Sequence, residues 1–112
     1  MSQITTHVLN TSEGSPASGM KINLYFMGKD IWELAGSSIS DKDGRISDLL
    51  PDDKTTEPGV YRMVFDTGDY FKELGVYCFY PVVEIFFEVS GKEHYHIPLL
   101  ISPFGYTTYR GS

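Results

Sequence analysis

The chain has one cysteine, one tryptophan and three histidines in 112 residues, and each scarcity narrows what it can be. A lone thiol, Cys78, cannot close an intrachain disulfide, so an apolar core has to hold the fold. It sits in Val76-Tyr77-Cys78-Phe79-Tyr80, where a small buried hydrophobe is a simpler reading than a reactive thiol. No apolar run approaches the ~18–20 residues of a membrane helix, so no membrane partner is expected. Positive charge is short too: 9 Lys and Arg face 15 Asp and Glu, for a net charge of −6. An acidic surface repels phosphate backbones, which argues against nucleic acid. The N-terminus lacks a basic region followed by an apolar segment, and the C-terminus is not Ser-Lys-Leu. A cytoplasmic protein is expected, with a peroxisomal or periplasmic address open if a presequence is missing. With no repeat, linker or low-complexity tract, residues 1–112 are expected to form one domain.

What is present reads as strands. Ile4–Asn10 alternates, with His7 on the side of Thr5 and Leu9. Lys21–Met27 puts Ile22, Leu24 and Phe26 on one face. Ile31–Ser40 is a weaker candidate, and Val60–Phe65 follows the turn signal Pro58-Gly59. In Pro81–Val89, Val83, Ile85, Phe87 and Val89 share a face while Glu84 and Glu88 point away. His94–Ile101 and Tyr106–Arg110 also look extended. Period-two runs separated by Gly, Pro and Asp turns predict an all-β two-sheet sandwich. One short helix is predicted over Thr67–Gly75, capped by Thr67 and stopped by Gly75, with Phe71 and Leu74 packed on a sheet.

Two of the three histidines stand one residue apart in Glu93-His94-Tyr95-His96. On a strand they project from one face, roughly 6.5–7 Å apart, with Tyr95 on the other. Three readings are open. The pair could ligate a metal with His7 as a third ligand, although no cysteine or acidic cluster completes such a site. One histidine could work as an acid or base beside an arginine that steadies developing negative charge. Or the pair is structural, which is the simplest account of His94 beside Lys92 and Glu93. Asp41-Lys42-Asp43-Gly44-Arg45 is a turn with Gly44 free to take positive φ, and it lacks the spacing of a calcium loop. On chemistry alone Arg45 is an ordinary surface arginine, and the C-terminal tail would fray.

Taken together, "THVLNTSEGSPASGM", "DKDGR", "GVYRMVFDTGDYF", "FYPVVEIFF" and "HYHIPLLISPFGYTTYRGS" resemble the transthyretin-related proteins, in the same order and over nearly the whole chain. "HYHIPLL" combined with the terminal "YRGS" resembles the enzymatic branch, which hydrolyses 5-hydroxyisourate in urate degradation, rather than the hormone-carrying branch. The resemblance implies a transthyretin-like β-sandwich that assembles as a homotetramer with sites where subunits meet. It implies His7, Arg45 and His96 as catalytic residues, and His7, Arg45, Tyr109 and Ser112 as contacts to substrate. It gives Arg110, Gly111 and His94 supporting places and implies neither metal nor cofactor. Asn10, where many members have Asp, and the variable segment 50–58 depart from the family pattern without touching these positions.

Overall fold

The computed structural model describes residues 2–52 and 56–112, so part of the variable segment 50–58 lies outside the described residues. Among the described residues, nine strands and one helix follow in chain order: β1 (Ile4–Asn10), β2 (Ser15–Pro16), β3 (Lys21–Met27), β4 (Trp32–Ile39), β5 (Arg45–Ile46), β6 (Gly59–Phe65), α1 (Thr67–Glu73), β7 (Val83–Val89), β8 (Tyr95–Ser102) and β9 (Gly105–Thr108). They form two sheets, one ordered β2-β1-β8-β9 with β5 also on β1, the other β4-β3-β6-β7. The β1–β8 pairing is parallel, and every other pairing of named strands is antiparallel. The two-sheet sandwich is therefore as the alternation predicts.

Alternation also sets the core. Ile4 and Val8 of β1, Ile22 and Leu24 of β3, Met63 and Phe65 of β6, and Leu99 and Ile101 of β8 are all fully buried between the sheets. Burying a side chain of this size is worth roughly 1.5–3 kcal/mol. Tyr95 goes inward, as its position opposite to the histidines requires, and its hydroxyl accepts the amides of Ser90 and Gly91 at 3.1 and 3.3 Å. Cys78 is half-buried and packs against the core, with Sγ 3.1 Å from the Tyr80 carbonyl.

Several predicted boundaries shift. The strand expected over Ile31–Ser40 runs Trp32–Ile39, and the one expected from Pro81 begins at Val83 because the Pro81 carbonyl accepts the Gly68 amide instead. The strand expected from Tyr106 to Arg110 covers Gly105–Thr108, and β2 and β5 are too short to show a period. The helix differs more. Asp66 occupies the cap position without a side-chain capping bond, while Thr67 lies inside the first turn. The Thr67 hydroxyl donates to the Tyr80 carbonyl at 2.7 Å and so ties the helix to the following loop. Phe71 is buried as expected, but Leu74, the C-cap, is 45 % exposed. Gly75 takes φ 71, as its stop role predicts.

On the outer face of the β4-β3-β6-β7 sheet, the Arg62 guanidinium lies 4.7 Å from the ring centres of both Tyr25 and Trp32. Glu84 stands 3.5 Å from one of its terminal nitrogens, and Phe86 meets the Trp32 ring edge-on at 5.7 Å. Arg62 Nε is buried with no hydrogen-bond partner among the described residues.

The turn before β5 is built tightly onto β1. Asp41 Oδ1 accepts the amides of Asp43 and Arg45, both at 2.9 Å, and the Gly44 carbonyl accepts the Val8 amide at 2.7 Å. Gly44 has φ 75, and a Cβ there would collide with the Val8 carbonyl oxygen. Gly14, at φ 66, faces open space. Gly44→Ala is therefore expected to cost more than Gly14→Ala, whose left-handed strain alone is about 1–2 kcal/mol. Urea unfolding of the two variants checks this, and equal losses would mean that β5 yields without resistance.

Candidate functional site

The strand ladders bring residues from three distant segments to one face. In the parallel β1–β8 ladder Thr5 sits opposite His96 and His7 opposite Pro98; in the antiparallel β1–β5 ladder His7 sits opposite Arg45. Paired residues point to the same side of a sheet, so Thr5, His7, Arg45 and His96 share the face turned away from the core. The two short strands beside β1 matter here, because β2 and β5 complete the edge of β1 that β8 does not occupy.

Thr5 is 5 % exposed and lies at the centre of the arrangement. Its Oγ1 is 2.8 Å from Nδ1 of His96 and 2.8 Å from Nε2 of His94. The two imidazoles lie nearly parallel, with centres 6.2 Å apart. His94 is thus exposed but not merely solvated. Nε2 of His96 has no hydrogen bond among the described residues.

The chain's C-terminal residues run back beside β8. The Gly111 amide donates to the His96 carbonyl at 2.9 Å, and Thr108 Oγ1 donates to the Pro98 carbonyl at 2.7 Å. The tail that would fray on chemistry alone is hydrogen-bonded to the site strand. Gly111 passes so close that a Cβ there would lie 2.6 Å from Cδ2 of His96 and 3.2 Å from the Pro98 ring. An open cavity of about 260 Å³ results, lined by Thr5, Thr6, Arg45, His94, His96 and Ser112 among others.

The expected residues therefore divide. Arg45, His94, His96 and Ser112 line this cavity, and Gly111 backs it. His7 is not in the lining; it stands beside Arg45, near enough for its charge to act on His96. Tyr109 and Arg110 turn away and line a separate recess of about 330 Å³ between β7 and the tail, which His96 also touches. Arg110 lies over the Tyr95 ring at 4.7 Å, with Glu93 at 3.7 Å. Thr5 is the residue that the sequence did not single out. Its only signal is that it shares a face with His7, and its contact to His96 spans 91 residues.

Burial holds the His96 imidazolium below its ordinary pKa of 6.5, and the charges of His94, His7 and Arg45 add to the effect. His96 is accordingly neutral at neutral pH, with a free ring nitrogen on a cavity that Arg45, whose guanidinium can only donate, also lines. This arrangement can take a proton from water and stabilise negative charge next to it. The Asp41 carboxyl is also held below its usual range, chiefly by the Arg45 amide and to a lesser degree by the Asp43 amide and the nearby positive charges, which here favours the charged form. Among the described residues, no three His, Cys, Asp or Glu side chains are placed to hold a metal ion.

Sandwich and site together define a protein of the transthyretin architecture that carries an ionisable histidine–arginine site. The fold superposes on sea bream transthyretin in complex with thyroxine, with TM-score 0.91 and 30 % identity over 98 % of this chain and 95 % of that one. It also matches Klebsiella pneumoniae 5-hydroxyisourate hydrolase, with TM-score 0.87 and 31 % identity over 97 % and 98 % of the two chains. A probable 5-hydroxyisourate hydrolase of Caenorhabditis elegans is 46 % identical across 97 % of this chain and 81 % of its own length. The model of the HIUase/Transthyretin family matches residues 4–111, and the chain belongs to that family.

The Gly111 contact is open to test. Gly111→Ala should lift the tail from β8 and shift the His96 ring resonances in NMR spectra, while the circular dichroism of the sheets stays unchanged. Unaltered His96 resonances would show that the close approach is not what holds the tail.

Proposed function

We propose that this chain hydrolyses 5-hydroxyisourate to 2-oxo-4-hydroxy-4-carboxy-5-ureidoimidazoline, a step of urate degradation, with His96 as the base. The observation that carries the reading is the half-buried His96, with Nε2 unengaged, on a cavity that Arg45 also lines. Nε2 takes a proton from water as the water oxygen attacks the cyclic amide carbonyl. The C–N bond then breaks, and the imidazolium returns the proton to the departing nitrogen. Arg45 donates to the carbonyl oxygen as negative charge gathers there, and Ser112 fixes the orientation of the ring. His7, next to Arg45, contacts the substrate edge beyond the cavity, and Tyr109 reaches substrate only if contributed by a neighbouring subunit.

A homotetramer with sites between subunits fits the surface. Tyr77 and Phe104 are 72 % and 70 % exposed with ring centres 6.2 Å apart, and Phe79 beside them is 59 % exposed. Exposed aromatic rings clustered like this mark a contact surface. Native mass spectrometry should give four chains for the wild type and smaller species for Phe104→Glu. A wild-type monomer would refute this assembly.

The activity is tested by generating 5-hydroxyisourate from urate with urate oxidase and following its ultraviolet decay. His96→Asn and Arg45→Gln are each expected to reduce turnover by about 10²-fold, within the usual span for a lost base or oxyanion donor. Because His96 must be neutral to act and its pKa is held low, turnover should persist below pH 6.5 and fall only in more acid solution. Decay at the spontaneous rate from folded protein would instead favour a carrier of an aromatic small molecule.

A further inference from the structure

Thr5 stands between two imidazoles, and the count of hydrogens available there constrains what His96 can do. A threonine hydroxyl has one hydrogen and can donate to only one nitrogen at a time. With Oγ1 2.8 Å from both Nδ1 of His96 and Nε2 of His94, the three groups form a single hydrogen-bonded line. While both rings are neutral, the line has two possible directions. In one, His96 Nδ1–H donates to Thr5 and Thr5 donates to His94, which leaves the lone pair of His96 on Nε2. In the other, His94 donates to Thr5 and Thr5 to His96 Nδ1, which places a hydrogen on Nε2 and removes the lone pair.

We infer that Thr5 and His94 are positioning residues that hold neutral His96 as its Nδ1–H tautomer, with the Nε2 lone pair turned to the cavity. Three observations support that direction. Arg45 lines the same cavity and offers only donors, so its positive field favours a lone pair over an N–H directed toward it. Nδ1 of His96 points at a buried hydroxyl, where its hydrogen has an acceptor, whereas no described group accepts a hydrogen from Nε2. At the far end His94 is exposed, so its own Nδ1–H can be hydrated when Nε2 accepts from Thr5. The other charged groups near the line are His7 on β1, and Glu93 and Arg110, which pair with each other at 3.7 Å. None of them is hydrogen-bonded to it among the described residues.

The inference rests on His96 being the base of the proposed reaction and explains how that base is kept in its working form. As His96 takes up a proton at Nε2, its Nδ1–H still donates to Thr5 and no hydrogen in the line has to move. The tautomer is read directly by long-range proton–nitrogen NMR of the imidazoles in the full chain without substrate. The wild type should show a protonated Nδ1 and a bare Nε2 at His96. Thr5→Val, which keeps the side-chain shape, should give a mixture of tautomers, as should His94→Phe, which removes the acceptor at the other end. Thr5→Ser should restore the wild-type pattern. In the decay assay kcat should fall about tenfold or more for Thr5→Val and recover for Thr5→Ser. A hydrogen on Nε2 in the wild type, or a His96 pattern unchanged by both Thr5→Val and His94→Phe, overturns the inference. If hydrolysis is present and the pattern is unchanged, the relay alone fails. If hydrolysis is absent, the proposed function fails while the spectra still decide the relay.

Discussion

Residues Ile4 to Asn10 of β1 run parallel to Tyr95 to Ile101 of β8, and since strand side chains alternate, the register of this ladder decides which of them meet water. With Thr5 opposite His96, the inward residues Ile4, Val8, Leu99 and Ile101 fill the core, and the outward ones become the site. A slip by one residue would bury both His94 and His96 and expose the core residues of β8. The same apolar burial that stabilises the sandwich thus holds Thr5 against the two imidazoles. Sheet stability and site geometry are one constraint. Arg45 then depends on β1 a second time, through the turn that Asp41 and Gly44 fold onto Val8.

The long strands were legible because their alternation is local. Lys21–Met27 and Val83–Val89 carry their burial pattern in seven residues each, and the structure follows it. Two-residue strands hold no period, so β2 and β5 were not visible, and β5 is the element that presents Arg45. The helix cap misled for a related reason. A threonine before an apolar turn looks like a cap, yet its hydroxyl is taken by the Tyr80 carbonyl 13 residues away. At the site, residue type alone left three readings of the histidine pair open. The resemblance to a family nominated His7, Arg45, His96 and the tail. It did not supply Thr5, because pairing between the two ends of a chain has no local signature.

The sandwich itself does not choose a chemistry, since one architecture hosts unrelated functions. A few outward positions on one sheet make the difference here. His96 is held toward its neutral form by partial burial and neighbouring positive charge, and Arg45, which can only donate, lines the same cavity. Against an overall charge of −6, the cavity is lined by the fixed positive charge of Arg45, which suits an electron-rich cyclic amide. The net acidity of the chain and the character of its site are therefore separate properties.

The stacked arginine on the opposite sheet has a practical side. Trp32 is the chain's sole indole, and it lies under the Arg62 guanidinium and against Phe86, on the sheet that carries none of the site residues. Its emission is an optical reporter native to the protein and sensitive to the packing of that sheet. Activity reports the other sheet, where the N-terminal and C-terminal strands must meet. The two signals watch opposite walls of one small sandwich, so recording them together would separate loosening of the site wall from melting of the whole without introducing a foreign label.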